Sequence, residues 1–302
     1  MNVLLIDIDS KIPNLALAKI EKYHKDKGDT VYWNLPIMMY VCEKIYVSCI
    51  FAWNKELCNE FEIDEWKDKI LIGGTGYDIW EELPKEIEEV KPKINLGFTT
   101  RGCVRDCEFC VVPRKEGKIY PVGDIYDLWD GKSKTIELLD NNILGLPEHF
   151  KLIWSQIRKE DLILTENGLD IRLLTEENAI ILKSIRHEKY HFAFDQMKDE
   201  KWVVKGSEIL RRNQMSFQNF YVLVGFNTSF KEDIYRLELL KKERMNAYVM
   251  RYMYNKNDRK YIPLARWANE RRFFHSMDWK QFMDTEMMKE YKKEFGYWGG
   301  EE

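Results

Sequence analysis

The 302-residue chain has no apolar run that approaches the length of a membrane-spanning helix, and neither sign of charge dominates, the formal net charge being −4. The first absence excludes helical membrane spans. The second leaves no overall field to draw the protein onto nucleic acid or an anionic membrane. No internal repeat recurs at a fixed period, and no segment is of low complexity. The first residues, Met1-Asn2-Val3-Leu4-Leu5-Ile6-Asp7, read as a buried strand and lack the positive charge and small-residue cleavage site of a secretory leader. A cytoplasmic protein is the expectation. Cysteine is scarce, six in all, and three of the six fall within eight residues. In a cytosolic chain such crowding points to metal before disulfides. With 45% hydrophobic and 32% charged residues, the composition is that of a soluble protein, long enough for one large or two ordinary domains.

The order of elements predicts two α/β units. Val3–Asp9 reads as a strand and Asn14–Lys27 as a helix, with Leu15, Ala18, Ile20 and Tyr23 at roughly helical spacing. Thr30–Trp33, Lys44–Phe51 and Lys69–Ile72 read as further strands, the last ending in Gly73-Gly74-Thr75-Gly76. This alternation predicts a small parallel α/β domain over residues 1–92. Its segment 54–90 carries 12 acidic and 4 basic residues and reads as a solvated face; Pro84 and Pro92 flank a charged stretch that reads as a linker. A second series covers 93–265. Strands are predicted at Ile94–Thr99, Thr135–Leu139, Ile163–Leu173, Tyr190–Phe194, Phe217–Val224 and Asn246–Tyr252. Helices are predicted at Glu148–Lys159, Glu176–His187, Glu200–Asn213 and Lys231–Arg244. Six β/α units in succession predict a partial (β/α)6 TIM-like barrel rather than an open sheet, although spacing alone does not separate the two shapes. Residues 266–302 read as a helical tail packed on it.

The crowded cysteines lie in Gly97-Phe98-Thr99-Thr100-Arg101-Gly102-Cys103-Val104-Arg105-Asp106-Cys107-Glu108-Phe109-Cys110, a C-x3-C-x2-C spacing just after a predicted strand. A fourth ligand is missing nearby. Structural zinc takes four protein ligands, and an electron-transfer cluster usually takes four cysteines. Three thiolates on a cubane leave one iron open to an outside ligand.

Over roughly residues 93–255 the chain resembles the radical S-adenosylmethionine (SAM) superfamily, whose signature is this spacing; Phe109, the aromatic before the last cysteine, also fits. The resemblance implies an enzyme with a [4Fe–4S] cluster on Cys103, Cys107 and Cys110, and SAM on the open iron. In the family the reduced cluster passes one electron to the sulfonium. Methionine and a 5′-deoxyadenosyl radical result, and the radical takes a hydrogen atom from a substrate C–H bond, the protein supplying orientation. A reductant such as flavodoxin or ferredoxin is implied as well. The substrate (small molecule, peptide or RNA) and the reaction after abstraction are left open. The other readings of the three thiols are a non-catalytic iron–sulfur sensor or carrier and a zinc-binding module.

Further residues take roles from the same resemblance. Asp140-Asn141-Asn142 follow the second strand of the series, where the family usually has a Gly-Gly-Glu run that receives the SAM amino group. An acid or amide oxygen suits an ammonium donor, and Asp and Asn also suit a plain turn. Asp170 and Arg172 fall two apart on the predicted third strand, so they would share a face and pair with ligand or with each other. Asp195 ends the fourth strand, a place for ribose or substrate contact or for a helix N-cap. Gly225 ends the fifth, close to adenine in the family, and Arg251 and Tyr252 end the sixth, where adenine contacts commonly fall.

Residues 1–83 resemble the Rossmann-like domain ahead of the barrel in cobalamin-dependent radical SAM enzymes. Where such domains often present a lower ligand from Asp-x-His-x-x-Gly, this chain has Asp9-Ser10-Lys11-Ile12-Pro13 without a histidine, so the expectation is against cobalamin. Methylthiotransferases use three N-terminal cysteines for a second cluster, but Cys42, Cys49 and Cys58 are packed into one short region and no terminal RNA-binding β-barrel follows. They are expected to be small buried hydrophobes. Segment 241–272 holds ten Lys/Arg and three Asp/Glu, with Trp267, Phe273 and Phe274 in or beside it. That mixture suits RNA or a nucleotide, and equally a solvated helix face.

Overall fold

Val3 and Leu5 point to one side of the first strand and Leu4 and Ile6 to the other, and each pair meets its own hydrophobic cluster. The computed structural model describes residues 1–252 and 258–300. β1 (Asn2–Asp7), β2 (Thr30–Trp33), β3 (Lys44–Ser48) and β4 (Ile70–Gly73) form a parallel sheet in the order β2-β1-β3-β4. Burial on both faces is what a central parallel strand requires. Helix α1 (Leu15–Asp26) lays Leu17 and Ile20 on the Val3 face, and the Asn14 side chain caps it by accepting from the Leu17 N–H. Met39, Cys42, Ile45, Val47, Phe61 and Ile70 fill the opposite face.

One expectation changes here. The stretch between Pro84 and Pro92 contains a helical turn, Lys85–Glu88, whose Ile87 is buried against α1 while Glu88 pairs with Lys19 at 2.7 Å. It packs as part of this unit because an apolar residue in the charged run finds a partner. The glycine run is pressed against the chain itself. A Cβ on Gly74 would stand 2.3 Å from the Cys49 carbonyl oxygen, and one on Gly76 would stand 2.5 Å from the Phe51 carbonyl carbon. Those glycines serve close backbone packing, one of the two uses of glycine beside a strand end.

The rest of the chain builds on β5 (Leu96–Gly97), the hairpin β6 (Thr100–Arg101) and β7 (Tyr120–Pro121), then β8 (Thr135–Leu138), β9 (Ile163–Glu166), β10 (Arg186–His187), β11 (His191–Ala193), β12 (Asn219–Val224) and β13 (Asn246–Arg251). Helices α2 (Pro147–Lys159), α3 (Glu176–Lys183), α4 (Glu200–Arg212) and α5 (Phe230–Lys242) lie between. Two all-parallel ladders result, β10-β9-β8-β5 and β11-β12-β13, and the Leu169 N–H donates to the His191 carbonyl at 2.7 Å where one gives way to the other. Ile136, Leu164, Phe192, Phe220 and Val249 join residues of the helices in one continuous core. Thr165, Tyr248 and Met250 stay accessible, Tyr248 to 51% and Met250 to 47%. A parallel ladder with wet side chains on it is unusual, since such sheets are normally covered on both faces.

Several predicted bounds move for local reasons. β5 stops at Gly97 because the N–H groups of Thr99 and Thr100 turn to the Asp140 carboxylate. β9 stops at Glu166; Asp170 and Arg172 lie beyond it, where the Asp170 carboxylate accepts the Arg172 N–H at 3.0 Å and opens a 3-10 turn, Ile171–Leu173. The predicted fourth strand is β11, and the helix predicted before it ends at Lys183, its last two residues forming β10 instead. From Tyr261 the chain is helical, earlier than expected, as α6 (Tyr261–Asn269), α7 (Arg271–Ser276), α8 (Trp279–Met283) and α9 (Lys289–Phe295). Trp267, Phe274, Trp279 and Phe282 are buried in the main core. The aromatic surfaces of Trp267 and Phe274 are thus spent on packing and are closed to base stacking. Residues 253–257, within the basic segment, lie outside the described residues, as do the last two residues of the expected tail. Among the described residues no helix is long and apolar enough to cross a membrane.

Candidate functional site

Every residue that the resemblance assigns to the cluster or to SAM follows, or ends, a parallel strand on its C-terminal side. The cysteine loop follows β5, Asp140-Asn141-Asn142 follow β8, Asp170 and Arg172 follow β9, Asp195 follows β11, Gly225 follows β12, and Arg251 and Tyr252 close β13. That edge is where α/β folds place ligands.

The cysteine loop is held from three sides. Asp140, 3% exposed, accepts from the backbone N–H and the hydroxyl of both Thr99 and Thr100, so its carboxylate anchors the loop's root. Burial pushes the Asp140 carboxyl up, and the four donors oppose the shift. Glu116 accepts from the Gly102 N–H and from Asn141 Nδ2, both at 2.8 Å, and pairs with Arg101 at 2.9 Å. Gly102 has φ +76°, and a Cβ there would stand 2.3 Å from the Lys118 carbonyl oxygen, so only glycine makes this turn. On the third side, Arg105 Nε donates to Asp170 Oδ2 at 2.7 Å.

Cys103, Cys107 and Cys110 are all free and partly buried. Burial pushes the Cys107 and Cys110 thiols up. The Arg172 guanidinium opposes the shift at Cys107, the Val112 N–H opposes it at Cys110, and the neighbouring thiols and Asp195 add to both. Asn142 is 3% exposed, and its Nδ2 stands 3.6 Å from Cys103 Sγ and 3.3 Å from Asp170 Oδ2. An ionised carboxylate only accepts, so the amide must turn its nitrogen to Asp170. Its oxygen, Oδ1, is then buried without a partner. Among the described residues no three His, Cys, Asp or Glu side chains stand ready around a single ion.

Asp170 is the hub of the site's charges. Arg172 Nε reaches its Oδ1 at 2.7 Å, and Arg172 Nη1 reaches Asp199 at 3.1 Å. Burial works against the charged form of Asp170, but the hydrogen bonds from Arg172 and Arg105 outweigh it and hold the carboxyl below the usual range. Asp195 accepts the Leu223 N–H at 2.9 Å; burial pushes its carboxyl up against the pull of that bond and of Arg236 and Arg172. It is not a helix N-cap, since α4 begins at Glu200.

The loop also meets the ends of β12 and β13. Phe109 packs edge-on to Phe226 at 5.5 Å, and Phe226 packs on Tyr252 at 4.6 Å. Asn227 Nδ2 donates to Glu108 at 3.2 Å. Gly225 has φ +78° and lies under the Tyr261 ring, where a Cβ would stand 3.2 Å from it. Arg251 pairs in register with Val224. Between the cysteine loop and the start of α4 opens a cleft of about 630 Å³, with Cys107, Arg105, Arg172, Asp199, Trp202 and Asn227 on its walls.

The chain matches no protein-family model and no curated protein.

Two supporting groups escaped the sequence reading. Glu116 sits in a charged loop with nothing to mark it. Asp233 and Arg236 on α5 had a signal, because they share the buried side of the helix with Phe230, Ile234 and Leu237. Both are fully buried; Arg236 reaches the carbonyls of Phe194 and Leu223, and Asp233 accepts from Gly225 N–H and Thr228 hydroxyl. The pair fixes the ends of β11 and β12 beside Asp195 and Gly225.

The three dispersed cysteines do not come together: Cys49 and Cys58 are neighbours, and Cys42 stands apart. Cys42 precedes β3 and Cys49 follows it, so a five-residue strand lies between them, about 17 Å long. Cys49 and Cys58 are each 0% exposed, and burial, with Cys58 and Asp9 adding, pushes the Cys49 thiol up to about 12. Such thiols behave as inert small hydrophobes.

Proposed function

We propose that the protein is a radical SAM enzyme of the cytoplasm, in which Cys103, Cys107 and Cys110 hold a [4Fe–4S] cluster. The observation that carries the reading is the placement of a C-x3-C-x2-C loop at the C-terminal edge of successive parallel strands, against a cleft, with Asn142 Oδ1 buried and unpartnered beside it. On this reading the two parallel ladders are arcs of one partial (β/α)6 TIM-like barrel, and the accessible Thr165, Tyr248 and Met250 face its hollow. Residues 1–92 are a Rossmann-like domain ahead of it.

The donor set fits the group. Three thiols and no fourth cysteine nearby suit a cluster that keeps one iron open, and a fully ligated structural metal would want four. Asn142 Oδ1 lacks a donor, and the ammonium of SAM is one. When bound, the cluster supplies one electron to cleave SAM reductively, and the substrate then loses a hydrogen atom to the 5′-deoxyadenosyl group. The chain's own residues do the rest. Asp140 and Glu116 hold the root of the cysteine loop at Thr99, Thr100 and Gly102, Phe109 and Phe226 pack against one another beside the thiols, and Asn142 would receive the amino group. Arg172 is the cation that favours the thiolate form of Cys107.

Anaerobic reconstitution tests this directly. The wild type should take up close to four iron and four sulfide, and adding SAM should change its electron paramagnetic resonance spectrum. Cys107→Ala should lose most of the iron. A zinc-loaded protein, or a cluster indifferent to SAM, would contradict the reading; the latter is the outcome expected of a non-catalytic sensor.

A further inference from the structure

Asp170 has no oxygen left for a ligand. Oδ1 accepts the Arg172 N–H at 3.0 Å and Arg172 Nε at 2.7 Å; Oδ2 accepts Arg105 Nε at 2.7 Å, Arg172 Nη2 at 3.2 Å and Asn142 Nδ2 at 3.3 Å. A carboxylate offers about four lone-pair sites, and these five donors fill them. The Asp170 side chain is 5% exposed. Its partners come from different segments: Arg105 lies between Cys103 and Cys107, Asn142 touches Cys103, and Arg172 is itself tied to Asp199 at the start of α4.

We infer that Asp170 is a positioning residue, an ionic latch that fixes the Cys103–Cys107 segment on the turn after β9 through Arg105. The inference rests on reading the three cysteines as cluster ligands, but the latch itself is a property of the metal-free chain. Arg105 has 33% of its side chain exposed, so the pair is partly wet on one side and buried on the other. An ion pair of this kind contributes order at its own place more than stability of the whole fold. The other ties of the cysteine loop lie at its ends or are weak: the Gly102 N–H to Glu116, the Cys103 N–H to Gly117, the Cys110 N–H to Cys107, Asn227 to Glu108, the Phe109 ring on Phe226, and the long contacts of Asn142 and the Arg105 N–H with Cys103 Sγ.

A double-mutant cycle isolates the latch. Arg105→Gln, Asp170→Asn and the double variant are compared with the wild type by hydrogen exchange of metal-free protein, read on peptides covering 99–110. Each single change should speed exchange there about tenfold, and the double variant should be no faster than Asp170→Asn alone, because coupled residues give strongly non-additive effects. Exchange in β1–β4 should not change. Arg105→Lys, which keeps the charge, should restore most of the protection. On cluster-loaded protein the same variants should lose iron to a chelator about tenfold faster than wild type, by the same coupling. Equal exchange in Arg105→Gln and wild type would overturn the latch, as would additive effects of the two changes. Should wild type fail to load iron, the exchange cycle still decides for or against the latch, and the cluster reading alone falls.

Discussion

A buried carboxylate is a cost unless its partners are in place, and the two at this site meet that demand differently. Asp140 is satisfied by threonine hydroxyls and N–H groups, Asp170 by two guanidinium groups and an amide. Asp140 was open to SAM or to a plain turn, and Asp170 to a ligand or to Arg172; here both hold protein together, Asp170 through the expected pair with Arg172, and the residue with a spare buried acceptor is Asn142. The sequence carried the cluster of polar residues but not this division of labour, because which oxygen meets which donor depends on segments dozens of residues apart. The depressed carboxyl of Asp170 has a pH signature. A group whose folded value is lowered contributes stability above its unfolded value, near 3.9, and that contribution is lost as pH falls through the folded value. Wild type should therefore exceed Arg105→Gln in stability by about 2 kcal/mol or less at pH 6, with the gap narrowing below pH 4. Urea denaturation at pH 6 and pH 3 measures it; a gap that widens in acid would contradict the assignment.

Among the elements, α4 shows why periodicity finds helices and misses their neighbours. Its buried positions Val203, Gly206, Ile209 and Leu210 lie on one face and are visible in the sequence. The use made of Gly206 is not. A Cβ there would stand 2.4 Å from Ile171 Cδ1 and 2.5 Å from its Cγ1, so the glycine lets the helix approach the turn that carries Asp170 and Arg172. Gly206→Ala gains about 1 kcal/mol of helix propensity but overpacks this contact, at a cost of about 1–3 kcal/mol. Net destabilisation is expected in urea titration, together with faster exchange in 168–174; a more stable variant would show that Ile171 moves aside freely. The strands tell a similar story. Six were visible as apolar runs, yet β5 and β9 came out shorter than their runs because Asp140 and Asp170 draw the following backbone into turns. Side-chain competition for backbone N–H groups is local chemistry that an apolar pattern does not record.

At the scale of the molecule, the alternation of strands and helices was enough for parallel α/β architecture. The C-terminal helices pack on the main core as expected, through Trp267, Phe274 and Trp279. The charged stretch around Ile87, which read as a linker, completes the first sheet's core instead, because one apolar side chain decides where it packs although charge dominates its composition. These parts support the cysteine loop, and a single assay decides whether that loop carries a SAM-cleaving cluster. Anaerobically reconstituted protein is given SAM and dithionite, and 5′-deoxyadenosine is measured by mass spectrometry beside the variant with Cys103, Cys107 and Cys110 all changed to alanine. The account predicts 5′-deoxyadenosine from the wild type and none above background from the variant. Equal product from both, or a fully loaded wild-type cluster that neither cleaves SAM nor changes its spectrum when SAM is added, would contradict it.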